Sequence, residues 1–450
     1  MVAGTHSGVG KTTVATGIMA ALRHRGVRVG AAKVGPDFID TGYHTLATGR
    51  PSRNLDAWIC GEKAIVPLAG RAGAGTDLLV VEGVMGLFDG ASEEVPTGEL
   101  PTASTAAVTR TLEAPVVLVI DASAMSQSVA ALVHGYSTLS PDVHIRGVIL
   151  NRVGSDAHED GLRRALEPLG TEVIGCLRRD DSFEWRDRHL GLIPVVERPQ
   201  EIARSLERLG AAIERSVDLD AIVRLAGTAA SVGYEALAPA LPQTNRPVRI
   251  AVAGGEAFSF VYPDNTERLQ EAGAEIVSVD PVRDDRLPDG TAALYAGGGF
   301  PEVFADQLAE NRSLLEEVKQ RVVGGMPVWA ECGGLLWLAE SLGSRSLGGV
   351  VSTRGEMTRR LTLGYRRAKV LVDNPVAAKG TELRGHEFHY STCEPGGEAL
   401  ELSGRQGTRR EGFATETLLA TYLHLHLGAD VEVAERFVRA AAEARVGTSS

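Results

Sequence analysis

Cys332 stands in the stretch PVWAECGGLLWL (327–338), between an apolar strand-like run and an apolar helical one. A sharp strand-to-helix turn lifts a nucleophile above a sheet, and the positive end of the following helix favours its thiolate. Such a turn needs small neighbours, which Ala330, Gly333 and Gly334 supply. Upstream, YAGGGFPE (295–302) ends another apolar run in a glycine cluster. The N–H groups of Gly298 and Gly299, with that of Gly333, would form an oxyanion hole for acyl transfer. A thiol is mostly protonated near neutrality, so a base is required. TYLHLHLG (421–428) offers His424 and His426, which share one face of a strand, so spacing does not choose between them.

A second chemistry opens the chain. VAGTHSGVGKTTVATG (2–17) carries the end of a phosphate-binding loop, Gly10-Lys11-Thr12, but Thr5 stands where the strict pattern has its first glycine. Backbone N–H groups from Gly8 and Val9 through Thr13 would cradle phosphate oxygens at a helix N-terminus. Lys11 would neutralise phosphate charge, and the Thr12 hydroxyl would reach Mg²⁺. In DLLVVEGVMGLFDG (77–90) an apolar strand ends at Glu82, a metal ligand beside such a loop, with Asp89 seven residues on. KVGPDFIDTGYH (33–44) contributes Lys33, Asp37, Asp40, Tyr43 and His44, a strand end and loop near the phosphates. Asp56 in NLDAW is a further candidate metal ligand. Asn151, closing GVILN, is placed to read the edge of adenine.

The elements that position these residues alternate. The runs DLLVVEG (77–83), APVVLVIDA (114–122), IRGVILNRV (145–153) and TEVIGCL (171–177) are separated by helix-length segments, the signature of a parallel sheet covered on both faces. The Ala/Pro-rich stretch 228–247 reads as a linker, after which VRIAVAG (248–254), EIVSVDP (275–281), AALYAGGG (292–299) and MPVWAECGG (326–334) begin a second α/β domain. The expected division is therefore 1–227, linker 228–247, and 248–445. His386, His389 and His189 are read as packed histidines, and Cys60, Cys176 and Cys393 as structural thiols. The net charge of −12 argues against a general nucleic-acid or membrane-surface binder. Four scattered cysteines and no bilayer-length apolar run point to a cytoplasmic protein.

Taken in order, GTHSGVGKTT, KVGPDFIDTGYH, VVEGVMGLFDG, RHLGL, GGGFPE, WAECGGLLWL, RGHEFHYS and YLHLH resemble the cobyrinic and hydrogenobyrinic acid a,c-diamide synthases along nearly the whole chain. These are glutamine-dependent amidotransferases of cobalamin biosynthesis. The first half is similar to dethiobiotin synthetase, and the second to a class I glutaminase. The resemblance implies ATP, Mg²⁺, glutamine and a corrinoid acid as reactants, and it admits a homodimer. It implies that ATP turns a peripheral carboxylate into an acyl phosphate, which ammonia then displaces. It selects His424 as partner of Cys332. His426 stands where class I enzymes usually carry a glutamate, which implies a Cys–His dyad. Asp37, Glu82 and Asp89 match family residues tied to substrate, metal or catalysis, and Thr12 with Glu82 would hold Mg²⁺. Cobyric acid synthase and a nickel-tetrapyrrole diamide synthase share the chemistry and stay open. A partition-type nucleotide switch has a lysine where this chain has His6.

Overall fold

The computed structural model of the chain describes residues 1–91, 95–96, 98–179, 187–188, 191–192, 195, 199–231, 233, 248–405 and 407–447. His189, and most of the 228–247 stretch, lie outside the described residues. The chain divides into two compact units, Met1–Glu235 and Ala236–Ser450. Among the described residues no helix is long and apolar enough to cross a membrane.

The first unit runs β1 (Val2–Gly4), α1 (Lys11–His24), β2 (Val29–Val34), α2 (Ile39–Thr48), β3 (Arg53–Leu55), α3 (Ile65–Gly73), β4 (Leu78–Glu82), α4 (Thr105–Leu112) and β5 (Val116–Asp121). It continues through α5 (Ser128–Thr138), β6 (Ile145–Val153), α6 (Asp156–Leu166), β7 (Val173–Arg178), a two-stranded ribbon of β8 (Asp187–Arg188) and β9 (Gly191–Leu192), α7 (Pro199–Ser216) and α8 (Leu219–Ala226). The main sheet is wholly parallel in the order β3-β2-β4-β1-β5-β6-β7. Leu118, Ile120, Val148 and Leu150 pack with α5 and α6, while Val34 and Val81 pack with α3 and α4. Gly17 brings α1 against α7: a Cβ there would lie 2.6 Å from Ile213 Cγ1. Coverage on both faces is why these strands read as unbroken apolar runs. Three-residue β1 sits between β4 and β5, so the phosphate loop leaves the middle of the sheet.

The second unit begins β10 (Val248–Ala253), α9 (Pro263–Glu271), β11 (Ala274–Val279), β12 (Thr291–Ala296), α10 (Ala305–Glu310), α11 (Arg312–Val323), β13 (Val328–Glu331) and α12 (Gly333–Leu338). Then come β14 (Ala339–Leu342), β15 (Arg345–Ser346), β16 (Val351–Val370), β17 (Glu382–Glu394), β18 (Leu400–Gly404), β19 (Gly407–Glu411), β20 (Phe413–Thr415), β21 (Leu418–Thr421), β22 (His424–Leu425) and α13 (Val431–Gly447). One sheet has the order β11-β10-β12-β13-β21-β20, parallel except at β20–β21. A second has the order β15-β14-β16-β17-β22, with β18 joined to β16 and β19 to β18. Period-two alternation splits the first sheet's side chains between two cores. Leu294, Val328 and Ala330 meet α10 and α11, while Tyr295, Trp329 and Leu419 meet α13. The second sheet, built on the 20-residue β16, lies outside the simple alternation expected from sequence.

Candidate active site

In the first unit, Gly10 takes φ 96° as the residue preceding α1, and Gly8 takes φ 81°, conformations in which a side chain is strained. Lys11 folds back, donating from Nζ to the His6 carbonyl at 3.1 Å. Burial first, and the Lys33 charge second, push its ammonium down to about 8. Thr5, the departure from the strict loop pattern, is used through its backbone: its carbonyl accepts the Tyr136 hydroxyl at 2.5 Å. Asp89 Oδ2 accepts the Gly86 N–H at 2.9 Å, and a Cβ on Gly86 would lie 2.5 Å from that oxygen and 2.9 Å from the Thr5 carbonyl. The Asp89 turn therefore rests against the phosphate loop.

Glu82, fully buried, is the hub. Its Oε1 accepts the Thr12 hydroxyl at 2.7 Å and Lys33 Nζ at 2.8 Å, and its Oε2 lies 2.7 Å from His44 Nε2. Burial alone would raise this carboxyl, but Lys33 and His44 hold it well below the usual carboxylate range. Lys33 also pairs with Asp40 at 2.7 Å, and these carboxylates keep its ammonium charged against the cost of burial. Asp40 Oδ2 is 3.4 Å from the Thr12 hydroxyl. Asp37 Oδ1 accepts the Asp40 N–H at 2.7 Å: Asp37 lies in the loop as expected, while Asp40 falls in the first turn of α2. Burial, then the Asp40 charge, pushes Asp37 up to about 7. Tyr43 is buried on the same helix.

Thr12, Asp40 and Glu82 form an all-oxygen donor set whose two carboxylates already pair with a cation, the Lys33 ammonium, and that chemistry suits Mg²⁺. Among the described residues no group of three or more His, Cys, Asp or Glu is arranged as a metal cage. Magnesium bound beside phosphates needs only one or two carboxylates, so the two observations agree. Two expected residues make local contacts here. Asp56, expected as a ligand, accepts the N–H groups of Trp58 and Ile59 on Oδ1 at 2.9 and 2.8 Å, while Asp40 Oδ2 lies beside the Thr12 hydroxyl. Asn151, expected to read adenine, lies against the loop. Its Nδ2 donates to the Val9 carbonyl at 2.9 Å, and its Oδ1 accepts the Arg152 N–H.

In the second unit, Cys332 takes φ 48° and ψ −97° between β13 and α12, the strained elbow its neighbours imply. Its N–H donates to the Thr421 carbonyl at 2.8 Å. Gly334 must be glycine, since a Cβ would lie 2.2 Å from the Ala296 carbonyl. A Cβ on Gly333 would lie 3.1 Å from Gly299 N and one on Gly298 2.4 Å from His424 Cε1, so elbow, glycine cluster and histidine converge. The Gly298 N–H is bonded to the Phe260 carbonyl at 3.0 Å, which takes it out of the expected oxyanion hole and leaves the Gly299 and Gly333 amides. Burial pushes the Cys332 thiol up, the Glu302 charge adds to this, and the Gly333 N–H of six-residue α12 opposes it without prevailing.

His424 is buried on β22, stacked on His386 with ring centroids 5.0 Å apart and planes at 22°. Burial, with His424 and His426 nearby, pushes His386 far down, so it packs as a neutral ring. His426 faces elsewhere: its ring lies 4.4 Å from that of Tyr262, and its Nε2 is 3.9 Å from Asp264 Oδ2. Glu331, which spacing alone did not single out, lies with Oε2 3.7 Å from His424 Nδ1.

Residues 1–193 match the model of the CobQ/CobB/MinD/ParA nucleotide binding domain, and residues 249–431 that of the CobB/CobQ-like glutamine amidotransferase domain. Hydrogenobyrinate a,c-diamide synthase of Streptomyces coelicolor is 46% identical, the alignment covering 97% of this chain and 96% of the relative. The chain belongs to the a,c-diamide synthase family. Further members are the hydrogenobyrinate enzyme of Mycobacterium bovis, 42% identical over 98% of this chain and 97% of its own, and the cobyrinate enzyme of Caldanaerobacter subterraneus, 41% identical over 97% of each. As in other a,c-diamide synthases, a nucleotide-binding domain and a glutamine amidotransferase domain share one chain, and the expected two-domain α/β fold and ligase class hold. Two signals were open to sequence reasoning in this diamide synthase. Asp37 and Asp40 have the spacing of a helix start, and Glu331 adjoins the nucleophile.

Proposed function

We propose that the chain amidates the a and c side-chain carboxylates of hydrogenobyrinate or cobyrinate, using ATP, Mg²⁺ and glutamine. A carboxylate is a poor electrophile, and phosphorylation supplies a leaving group. The loop amides from Gly8 to Thr13 and Lys11 would hold the phosphates, with Asn151 keeping the loop in shape through Val9. Thr12, Asp40 and Glu82 would hold Mg²⁺, which would supply neutralisation of phosphate charge. A substrate carboxylate oxygen attacks the γ-phosphorus, ADP leaves, and the acyl phosphate forms. Ammonia then attacks the acyl carbon and phosphate departs. Lys33, Asp37, Tyr43, His44 and Asp89 complete the synthetase site, with His44 fixing the orientation of Glu82.

In the second unit Cys332 passes its proton to His424 and attacks the glutamine amide carbon. The C–N bond breaks as the proton returns to nitrogen, releasing ammonia. Water then cleaves the thioester to glutamate. The Gly299 and Gly333 amides would hold the oxyanion. The observation that carries this reading is the convergence of the strained Cys332 elbow on Gly298 and His424, in a chain that also assembles Lys11, Thr12 and Glu82. Mass spectrometry of the product tests it. With either corrinoid acid, ATP, Mg²⁺ and glutamine, two successive OH-to-NH₂ exchanges are expected. Further exchanges would point to cobyric acid synthase chemistry instead, and none would refute the reading.

A further inference from the structure

Glu331 is the last residue of β13, 1% exposed, and adjoins the nucleophile. Strand alternation puts it on the face of Trp329 and Tyr295, away from Val328 and Ala330. Its Oε1 accepts the N–H of Leu425, the residue after His424, at 2.9 Å. Its Oε2 accepts the Tyr295 hydroxyl at 3.1 Å and lies 3.7 Å from His424 Nδ1. Asn265 braces the same corner, donating to the Tyr295 oxygen at 3.1 Å and to the Leu425 carbonyl at 2.8 Å. The other edge of the imidazole faces the glycine cluster: a Cβ on Gly298 would lie 3.2 Å from Nε2. The remaining nearby acids are engaged elsewhere, Asp264 towards His426 and Glu387 with Arg366 and Arg409.

We propose that Glu331 is the acidic positioning residue of the glutaminase site, holding the His424 imidazole with Nδ1 protonated and Nε2 turned towards the glycine cluster. It takes the part that a glutamate at position 426 would play, from the opposite side of the sequence. A proton moving from Cys332 Sγ to His424 Nε2 makes an imidazolium, whose Nδ1–H then meets a carboxylate across a short, dry gap. Glu331 exchanges no proton in this cycle. Its charge also raises the Cys332 thiol, so its benefit is realised only once the imidazolium forms. A separation of 3.7 Å is an ion-pair distance, and contacts of this kind tighten when substrate is bound.

The proposal rests on the glutaminase reading of this site, and the test separates the two. Glutamine-dependent and ammonium-dependent amidation are measured on the full chain, wild type, Glu331→Gln and Glu331→Asp, and their ratio cancels losses from folding. We expect the ratio for Glu331→Gln to fall about 10²-fold, in kcat with little change in the KM for glutamine. Glu331→Asp, keeping the charge, should retain more than Glu331→Gln. A residue that only accepts the Leu425 N–H gives the reverse order, because glutamine keeps the length and the acceptor. That order, or an unchanged ratio in Glu331→Gln, overturns the proposal. A wild-type chain that releases no glutamate from glutamine refutes the glutaminase reading itself.

Discussion

Gly298→Ala isolates the geometry of the glutaminase site in one methyl group. Gly298 is not in the left-handed backbone region, so alanine brings no conformational strain, and the whole effect is steric. The added Cβ would lie 2.4 Å from His424 Cε1, whereas ordinary contact begins near 3.4 Å, so the ring must retreat by about 1 Å. It has little room: His386 is stacked on it at 5.0 Å, and Glu331 lies 3.7 Å from Nδ1. A misplacement of about 1 Å can lower a positioned step about 10²-fold. Overpacking of this kind costs about 1–3 kcal/mol of stability. Glutamate release should therefore fall about 10²-fold in kcat, while amidation driven by ammonium chloride keeps the wild-type rate. Thermal melting measures the stability cost separately. Glutamate release at the wild-type rate would refute the reasoning, because His424 would then not be the base held against Gly298.

Asp40→Asn should raise the Mg²⁺ concentration needed for ATP-dependent amidation by at least about tenfold, measured by magnesium titration, whereas Asp56→Asn should lower the melting temperature and leave that titration unchanged. Since burial raises the Cys332 thiol and only the thiolate is alkylated, its reaction with iodoacetamide in the absence of glutamine should still be climbing at pH 9, past the midpoint of an ordinary cysteine at about 8.5. A plateau below that pH, followed by mass spectrometry of the labelled peptide, would contradict it. Glu411, pushed up to about 7 by burial against an ordinary 4.5, binds its proton more tightly folded than unfolded. Its contribution to stability is full below pH 4.5 and is lost as the pH rises through 7, so Glu411→Gln should flatten that part of the melting-temperature profile.

Much of the site was legible because its chemistry is local in sequence. A phosphate loop needs glycines and a lysine within a few residues, and a nucleophile elbow needs small neighbours on both sides, so Lys11, Thr12 and Cys332 could be picked out directly. Glu82 followed from a strand end. What spacing left open depended on where side chains point across many residues. Asp40 and Asp56 both follow strand ends, but only the fold turns one towards Thr12 and uses the other within its own turn. Only the fold brings the Asn151 amide to the Val9 carbonyl.

By itself, then, the sequence determined the parallel sheet of the first domain and the α/β alternation that opens the second, through apolar runs that both faces of a sheet must bury, and it pointed to the two candidate centres, through motifs whose spacing is set by backbone geometry. Tertiary structure showed what spacing did not, that Asp40 lies beside Thr12 and Glu331 beside His424. Glu331 is separated from His424 by most of a hundred residues of chain, and only the pairing of β13 with β21, ahead of β22, brings its carboxylate to the imidazole. Burial likewise pushes the Cys332 thiol up, because it removes water from the sulfur more effectively than a six-residue helix replaces it.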